Sequence, residues 1–392
     1  MDAMLKHIIE EFDRLFGDVQ TSRLFFSPGR VNIIGEHIDY NGGYVLPCTI
    51  DRGTYFVIRK NNTNKVRVFS AQFENMGMIE FDVQDDHKTG DYTDYVKGCI
   101  KIFEINFGFD VTCGGTIPHS SGLSSSASFT TGLGFALTTL KKKKVSGTPL
   151  ALACQRIENE FMGVNCGIMD QFIVCNGQKD SAILLDCNTL QYKLIPFELG
   201  EYSLIIANTN KKRQLADSKY NIRRGECEKA LEIINNAGNN YTCLCEIGKK
   251  ELPEVLNLLE DDVLKRRVRH VVTENIRTID ATKALEKHNI EKLGELLTAS
   301  HMSLEKDYEV TGKELDTLVH SFLEQKGCIG ARMTGAGFGG CSIALIKKGY
   351  ENEAIKNVSK IYLDTIGYEP SFYQVKVGNG TKEIKKTAIM KS

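Results

Sequence analysis

The chain has 392 residues, of which 42% are hydrophobic and 25% charged, and its formal net charge is -1. This composition is typical of a globular protein, and the length predicts two domains. The near-zero charge excludes a general attraction to nucleic acid or anionic membranes, so any phosphate binding must be local, which favours a small ligand.

The N-terminal segment predicts an amphipathic helix, because Met4, Ile8 and Phe12 recur on one face between charged residues. That pattern differs from the unbroken apolar core of a signal peptide, and no apolar run in the chain reaches membrane-spanning length. The 12 cysteines contain no CxxC pair. Reduced thiols are therefore favoured over a zinc site, and we expect a cytoplasmic protein without a membrane partner.

A polar cluster follows the strand predicted at residues 23–26. Residues 27–43 read SPGRVNIIGEHIDYNGG and contain Arg30, Glu36, His37 and Asp39. One interpretation is a hairpin with solvated charges. The other is a loop pinned to the core by its apolar residues, whose convergent polar groups bind a ligand with many hydroxyls. The density of charge favours the second interpretation.

The next elements predict an α+β domain with a mixed sheet. Alternating patterns predict strands at residues 44–50, 54–59, 66–70, 78–83 and 111–116, and helices at 92–107 and 129–140. Residues 114–128, GGTIPHSSGLSSSAS, join the last strand to the last helix. A helix start with free N–H groups after a loop of small residues can hold phosphate, although serine runs also serve as simple caps. The loop lacks the GK[ST] of a Walker A motif.

Two carboxylates follow this loop. Glu158 lies on the helix predicted at residues 150–161, and Asp170 lies in the apolar stretch GVNCGIMDQ. From the residues alone, Asp170 is either a helix N-cap or a site residue, and both alternatives remain open.

The second half of the chain predicts the order βαββαβ, a split ferredoxin-like domain. Its central hairpin is joined by TGAGFGG, which matches GxGxxG but precedes a strand, so the pattern argues against dinucleotide binding. The glycines instead allow a ligand or another backbone segment to approach closely. We expect an N-terminal domain at residues 1–198 and a C-terminal domain at 199–392.

Taken together, these motifs resemble the GHMP small-molecule kinases and, within them, the galactokinases. GRVNIIGEHIDYNGG is similar to the galactokinase signature, GLSSSAS to the phosphate loop and MTGAGFGG to the third motif. CGIMDQF and SKYNIRRGECEKAL also resemble galactokinase stretches, so the resemblance covers nearly the whole chain.

The resemblance implies a two-domain kinase with its active site in the cleft between the domains. It implies transfer of the γ-phosphoryl group of ATP to the anomeric hydroxyl of α-D-galactose, with Mg²⁺. We also expect a monomer. On matching positions, Arg30 and Asp170 flank the reacting hydroxyl. The implied sugar contacts are Glu36, His37, Asp39 and Tyr220. The implied nucleotide and metal contacts are Gly122, Leu123, Ser124, Ser125 and Ser126 around the phosphates, with Ser126 and Glu158 holding Mg²⁺.

Two other functions are considered. An N-acetylgalactosamine kinase would share much of the sugar signature and differ in the space beside the sugar C2. A sugar and ATP sensor without catalysis would be expected to lose part of the Ser-Ala pair in the phosphate loop. Ser126 and Ala127 are both present, which favours an enzyme.

Overall fold

The computed structural model describes residues 2–117, 123–143, 145–211 and 216–385. The predicted phosphate-loop residue Gly122 lies outside these ranges. The described strands are β1 (Arg23–Asn32), β2 (Tyr44–Val45), β3 (Pro47–Lys60), β4 (Lys65–Ser70), β5 (Ile79–Asp82), β6 (Phe109–Gly115), β7 (Ser181–Asp186), β8 (Tyr192–Pro196), β9 (Tyr202–Asn208), β10 (Cys328–Thr334), β11 (Cys341–Lys347), β12 (Ser371–Gln374) and β13 (Lys382–Ile384).

Helices pack on both sides of the resulting sheets. The described α-helices are α1 (Ala3–Phe16), α2 (Thr93–Ile102), α3 (Ser125–Leu140), α4 (Thr148–Arg156), α5 (Met169–Asn176), α6 (Ala216–Asn236), α7 (Leu252–Asn257), α8 (Asp262–Glu286), α9 (Ile290–Ser303), α10 (Lys313–Leu323) and α11 (Glu351–Ile366). Two π-helical segments, Ile157–Met162 and Leu304–Tyr308, follow α4 and α9 directly. None of the described helices combines the length and apolar character that crossing a bilayer requires.

The first sheet confirms the predicted mixed architecture. Its strand order is β13-β1-β3-β6-β4-β5, and all pairs are antiparallel except β4 with β6. Phe25, Phe56 and Phe109 are fully buried, and they pack in one apolar cluster with Leu133 of α3. This core anchors α3 against the sheet.

The first part of the polar cluster is strand, which corrects the prediction of a loop from residue 27. β1 continues to Asn32 and pairs with β3, and its register shifts between Pro28 and Arg30. Proline and glycine are tolerated at a β-bulge, so Pro28 and Gly29 mark a bulge and not the end of the strand. Arg30 therefore projects from a paired strand, which restricts its motion.

Three other predicted boundaries differ from the structure. Residues 47–60 form one strand because β1 pairs with β3 on both sides of the predicted break. The helix predicted at 92–107 ends at Ile102. The helix predicted at 150–161 changes at Ile157 into a π-helical turn that carries Glu158. Such turns are common beside functional sites.

The second sheet confirms the βαββαβ order. It has the strand order β10-β11-β9-β12 with antiparallel neighbours throughout. One face packs on α10 and α11 through Phe322 and Val358. In another cluster, Ile33 and Ile34 pack with Ile343 of β11. The apolar residues of the segment at residues 27–43, hereafter the sugar segment, therefore anchor it to a core, and that core includes the second sheet.

Candidate active site

A pocket of about 190 Å³ lies where the phosphate loop, the end of β1 and the β10–β11 turn meet. The predicted residues that line it are Arg30, Glu36, His37, Asp39, Ser126, Glu158, Asp170 and Tyr220. The structure thus brings together the residues predicted to contact the sugar, the reacting hydroxyl and the metal ion. Their individual roles remain predictions.

Arg30 and Asp170 form a forked ion pair in this pocket. Arg30 donates from Nε to Oδ1 and from Nη2 to Oδ2 of Asp170, both at 2.8 Å. The Arg30 side chain is 4% exposed and the Asp170 side chain 30%. Two parallel hydrogen bonds fix the orientation of the guanidinium plane relative to the carboxylate plane. Ile168 occupies the N-cap of α5 and Asp170 lies in its first turn, so the structure excludes the N-cap alternative for Asp170.

The phosphate loop contacts both members of this pair. The Leu123 carbonyl accepts a hydrogen bond from the Arg30 N–H at 3.3 Å, and the Leu123 side chain is fully buried. Ser124 adopts a left-handed conformation with φ 58° and ψ 50°. Its hydroxyl donates to Asp170 Oδ2. Leu123 and Ser124 would therefore contact a phosphate through backbone groups and not through their side chains.

The start of α3 is suited to an anion. Ser125 and Ser126 occupy its first turn, and no side chain among the described residues caps this helix start. The N–H groups of a first helical turn lack partners within the helix and carry the positive end of its dipole. A phosphate placed here would meet donors that are already oriented.

Ser126 and Glu158 could supply oxygen ligands to a metal ion. Both line the pocket, although Ser126 comes from α3 and Glu158 from the π-helical turn after α4. Glu158 is only 4% exposed. Carboxylate and hydroxyl oxygens are hard donors of the kind that Mg²⁺ prefers, so this pair fits the ion.

Glu36 connects the sugar segment to the β10–β11 turn. Its Oε1 accepts from the Gly335 N–H at 2.7 Å and from the Thr334 hydroxyl at 3.2 Å, and it lies 3.0 Å from Arg332 Nη2. Arg332 is fully buried. No sequence motif predicted a role for Arg332, because its importance depends on a partner 296 residues away in a packed core. The glycine-rich turn beside it was the only local signal.

Glu274 of α8 supports the backbone of the same segment, and it too was missed. Its Oε1 accepts from the N–H groups of Gly35 at 3.0 Å and Glu36 at 3.3 Å. Burial opposes ionisation of Glu274, but Arg277 and other nearby cationic or polar groups outweigh it and lower its pKa to about 2. A charged acceptor therefore holds the turn in which Glu36 lies.

Asp39 faces the backbone of Gly167, where a Cβ atom would collide with its carboxylate. Enclosure by the protein, together with nearby Asp170, raises the pKa of Asp39 to about 7. Tyr220 of α6 lies beside it, and burial raises the pKa of Tyr220 well above its ordinary value. The Tyr220 hydroxyl therefore remains a hydrogen-bond donor.

His37 uses both ring nitrogens within the protein. Nδ1 lies 2.8 Å from the Tyr40 hydroxyl, and Nε2 lies 3.2 Å from the Ala336 carbonyl oxygen. Burial, together with nearby His270, lowers the pKa of His37 to about 3, so the ring is neutral at physiological pH. A sugar contact by His37 would therefore involve a face or edge of the ring.

A second group of potential metal ligands lies outside the pocket. His301, Glu305 and His320 offer ligand atoms within 4.8 Å of one another. However, His301 Nδ1 accepts from the Met333 N–H at 3.3 Å. The proton of the neutral ring must then be on Nε2, which lies 3.7 Å from Asp316. A metal would need that nitrogen deprotonated, so the donor set fits a hydrogen-bonded cluster better than a metal site.

Comparison with known families agrees with this geometry. Residues 10–60 match the galactokinase galactose-binding signature, residues 94–178 the GHMP kinases N terminal domain and residues 281–363 the GHMP kinases C terminal domain. The fold and the pocket thus define a GHMP small-molecule kinase, a phosphotransferase that uses ATP.

Full-length relatives narrow the assignment. The chain is 48% identical to a galactokinase of Clostridium acetobutylicum, and the match covers 96% of this chain and 99% of the relative. It is 47% identical to a galactokinase of Fusobacterium nucleatum, and that match covers 97% of this chain and all of the relative. It belongs to the galactokinase family. The crystal structure of Lactococcus lactis galactokinase complexed with galactose superimposes with a TM-score of 0.94 at 44% identity, covering 97% of this chain and all of that one. The fold is shared with mevalonate kinase of Methanococcus jannaschii, which is 19% identical and superimposes with a TM-score of 0.65. That match covers 91% of this chain and 99% of the mevalonate kinase chain.

Proposed function

We propose that this protein transfers the γ-phosphoryl group of ATP to the anomeric hydroxyl of α-D-galactose and releases galactose 1-phosphate. The observation that carries the proposal is the forked Arg30–Asp170 pair, which lines one pocket together with Ser126 at the start of α3. A pocket that combines an anion-binding helix start with a carboxylate and a guanidinium suits direct in-line transfer.

The sugar is bound by the segment after β1 and by α6. In this proposal Glu36, Asp39 and Tyr220 direct polar groups at the hydroxyls of galactose, and His37 packs against the ring. Contacts within the protein hold two of these side chains in place. Glu36 accepts a hydrogen bond from the β10–β11 turn, and the Asp39 carboxylate packs against the backbone of Gly167. Binding groups held in this way lose little conformational entropy when the sugar binds.

The nucleotide phosphates bind at the phosphate loop. Backbone N–H groups of Leu123, Ser124, Ser125 and Ser126 contact the phosphate oxygens, and Gly122 belongs to the same predicted set. Arg30 faces the group in transfer, where a rigid guanidinium can stabilise the charge that develops in the transition state. Phosphoryl transfer needs mainly positioning and charge stabilisation, which this arrangement supplies.

Ser126 and Glu158 hold Mg²⁺ in this proposal. The bound ion neutralises charge on the nucleotide phosphates. The fit rests on two oxygen donors that line the pocket beside the phosphate loop, one of them a nearly buried carboxylate.

Asp170 orients the acceptor hydroxyl and can take its proton late in the transfer. Both of its oxygens already accept hydrogen bonds, from Arg30 and Ser124, which supports a fixed position for the carboxylate. The attacking oxygen becomes more acidic as its bond to phosphorus forms. A positioned carboxylate within reach can therefore accept that proton as the bond forms.

A sugar panel tests the proposed function. Galactose, N-acetylgalactosamine, glucose and arabinose are each incubated with ATP labelled at the γ-phosphate, and the phosphorylated position is assigned by NMR. We expect galactose to be the preferred acceptor, at C1. Preference for N-acetylgalactosamine would instead support a kinase for that sugar. Binding of galactose and ATP without transfer to any sugar would support a sensor.

We further propose that the protein acts as a cytoplasmic monomer with its domain boundary near residues 198 and 199. All twelve cysteines are free thiols, which suits a reducing compartment. Light scattering of the purified protein at a mass other than that of one chain would contradict the monomer.

A further inference from the structure

A chain of hydrogen bonds runs from the pocket wall into the second half of the protein. His37 Nε2 faces the Ala336 carbonyl at 3.2 Å. A carbonyl oxygen can only accept, so Nε2 carries the proton of the neutral ring. Nδ1 is then an acceptor, and the Tyr40 hydroxyl, at 2.8 Å, must donate to it.

The direction of the other two hydrogen bonds in the chain follows from the first. Because Tyr40 donates to His37, its oxygen accepts from the Tyr308 hydroxyl at 2.9 Å. The Tyr308 oxygen in turn accepts from the Cys227 thiol at 3.2 Å. Burial raises the pKa of both Tyr40 and Tyr308 well above the ordinary value, so both hydroxyls keep the protons that the chain requires.

The donors of this chain are held by different elements. Tyr40 lies in the 3-10 turn at Asp39–Asn41, Tyr308 ends the π-helical segment after α9, and Cys227 lies on α6. Tyr308 is fully buried, and its ring also packs against His270 at a centroid distance of 4.5 Å. The tyrosines therefore present their hydroxyls from fixed positions behind His37.

His37 and its neighbour Glu36 contact consecutive residues of the β10–β11 turn. Glu36 accepts from the Gly335 N–H at 2.7 Å, and His37 donates to the Ala336 carbonyl. In the other tautomer of His37, the lone pair of Nε2 would face the lone pairs of Ala336, and the contact would become repulsive. The orientation of this turn, which lines the pocket, thus depends on which nitrogen of His37 is protonated.

We propose that Tyr40 and Tyr308 are positioning residues for sugar binding, because they fix the His37 tautomer that holds the Gly335–Ala336 turn against the sugar segment. The proposal rests on the proposed function, since it concerns the same pocket. Neither tyrosine needs to touch the substrate.

The experiment compares Tyr40→Phe and Tyr308→Phe with Tyr202→Phe in the full-length protein. Tyr202 is a matched control because its hydroxyl also makes a hydrogen bond, to Glu291 at 2.9 Å, but on β9 away from the pocket. The measurements are kcat, KM for galactose and ATP, the thermal midpoint, and long-range ¹H–¹⁵N NMR spectra of the His37 ring.

We expect Tyr40→Phe to raise the galactose KM about threefold to tenfold, the usual effect of losing one partly buried hydrogen bond, and to leave the ATP KM unchanged. Its spectrum should show a population of the Nδ1-protonated tautomer of His37 that the wild type lacks. Tyr308→Phe should cause a smaller rise and Tyr202→Phe none.

An unchanged galactose KM in Tyr40→Phe, or a wild-type spectrum with the proton on Nδ1, would overturn the inference. A fall in kcat and in thermal stability, together with a rise in both KM values, would also overturn the inference, because such a pattern would indicate a purely structural role. If the wild type does not phosphorylate galactose, the proposed function fails, and the spectra still decide the tautomer.

Discussion

Ser124 donates its hydroxyl hydrogen to Oδ2 of Asp170, the oxygen that also accepts from Nη2 of Arg30. This contact joins the loop proposed to bind phosphate to the carboxylate proposed to orient the sugar. A shift of the loop when a nucleotide binds would therefore act directly on Asp170.

Ser124→Ala should lower kcat about threefold to tenfold, because Asp170 loses one of its hydrogen bonds while the backbone of the phosphate loop remains. The ATP KM should change little. Steady-state kinetics with both substrates varied separates these effects. Ser181→Ala, on β7, serves as the control for loss of a serine hydroxyl. A large rise in ATP KM with normal kcat would instead assign the Ser124 hydroxyl to the nucleotide.

Asp170→Asn should lower kcat by about a hundredfold or more while the galactose KM rises only a fewfold. The amide keeps the size of the side chain but cannot accept the sugar proton, and it places an N–H donor opposite Arg30. Kinetics combined with galactose binding by calorimetry measures both quantities. Near-normal turnover would exclude both proposed roles, the base and the orienting group.

Arg30→Lys should lower kcat about a hundredfold although the positive charge is kept. Lysine has a single nitrogen and cannot form the forked contact with both oxygens of Asp170 that Arg30 makes at 2.8 Å. The steady-state rate at saturating substrates is the measurement. A rate within a fewfold of the wild type would mean that charge alone suffices at this position.

Asp39→Asn should stabilise the free protein at alkaline pH and weaken galactose binding. The pKa of Asp39 is raised from 3.8 to about 7, so its protonated form favours folding. That contribution is complete below pH 3.8 and is lost as the pH rises through 7. The variant should therefore melt higher than the wild type by about 2 °C at pH 8 and by less at pH 5. Thermal melts at both pH values, with the exposed Asp180→Asn as control, test this, and a pH-independent difference would contradict it.

Glu158→Gln should raise the Mg²⁺ concentration for half-maximal activity about tenfold, because a neutral amide is a weaker ligand than a carboxylate. The measurement is a Mg²⁺ titration at fixed total ATP. Glu160→Gln is the matched control, since Glu160 lies on the same π-helical turn but pairs with Arg156 at the surface. Equal Mg²⁺ requirements for both variants would argue against Glu158 as a ligand.

Much of the fold followed from local patterns. The mixed first sheet, the βαββαβ order of the second half and the helix after the phosphate loop were all predicted, because burial periodicity is written in neighbouring residues. The boundary errors have a common cause. Pro28 and Gly29 interrupt the pattern of a strand, and only the pairing of β1 with β3 across a bulge shows that the strand continues.

The sequence by itself determined eight of the residues that line the pocket, from Arg30 to Tyr220, because the motifs that contain them resemble those of the galactokinases. The tertiary structure alone decided how they are used. Arg30 and Asp170 lie 140 positions apart, and Glu36 and Gly335 lie 299 apart. The hydrogen bonds between them, the tautomer of His37 and the raised pKa of Asp39 depend on which groups folding brings within about 3 Å, and no local pattern encodes that distance.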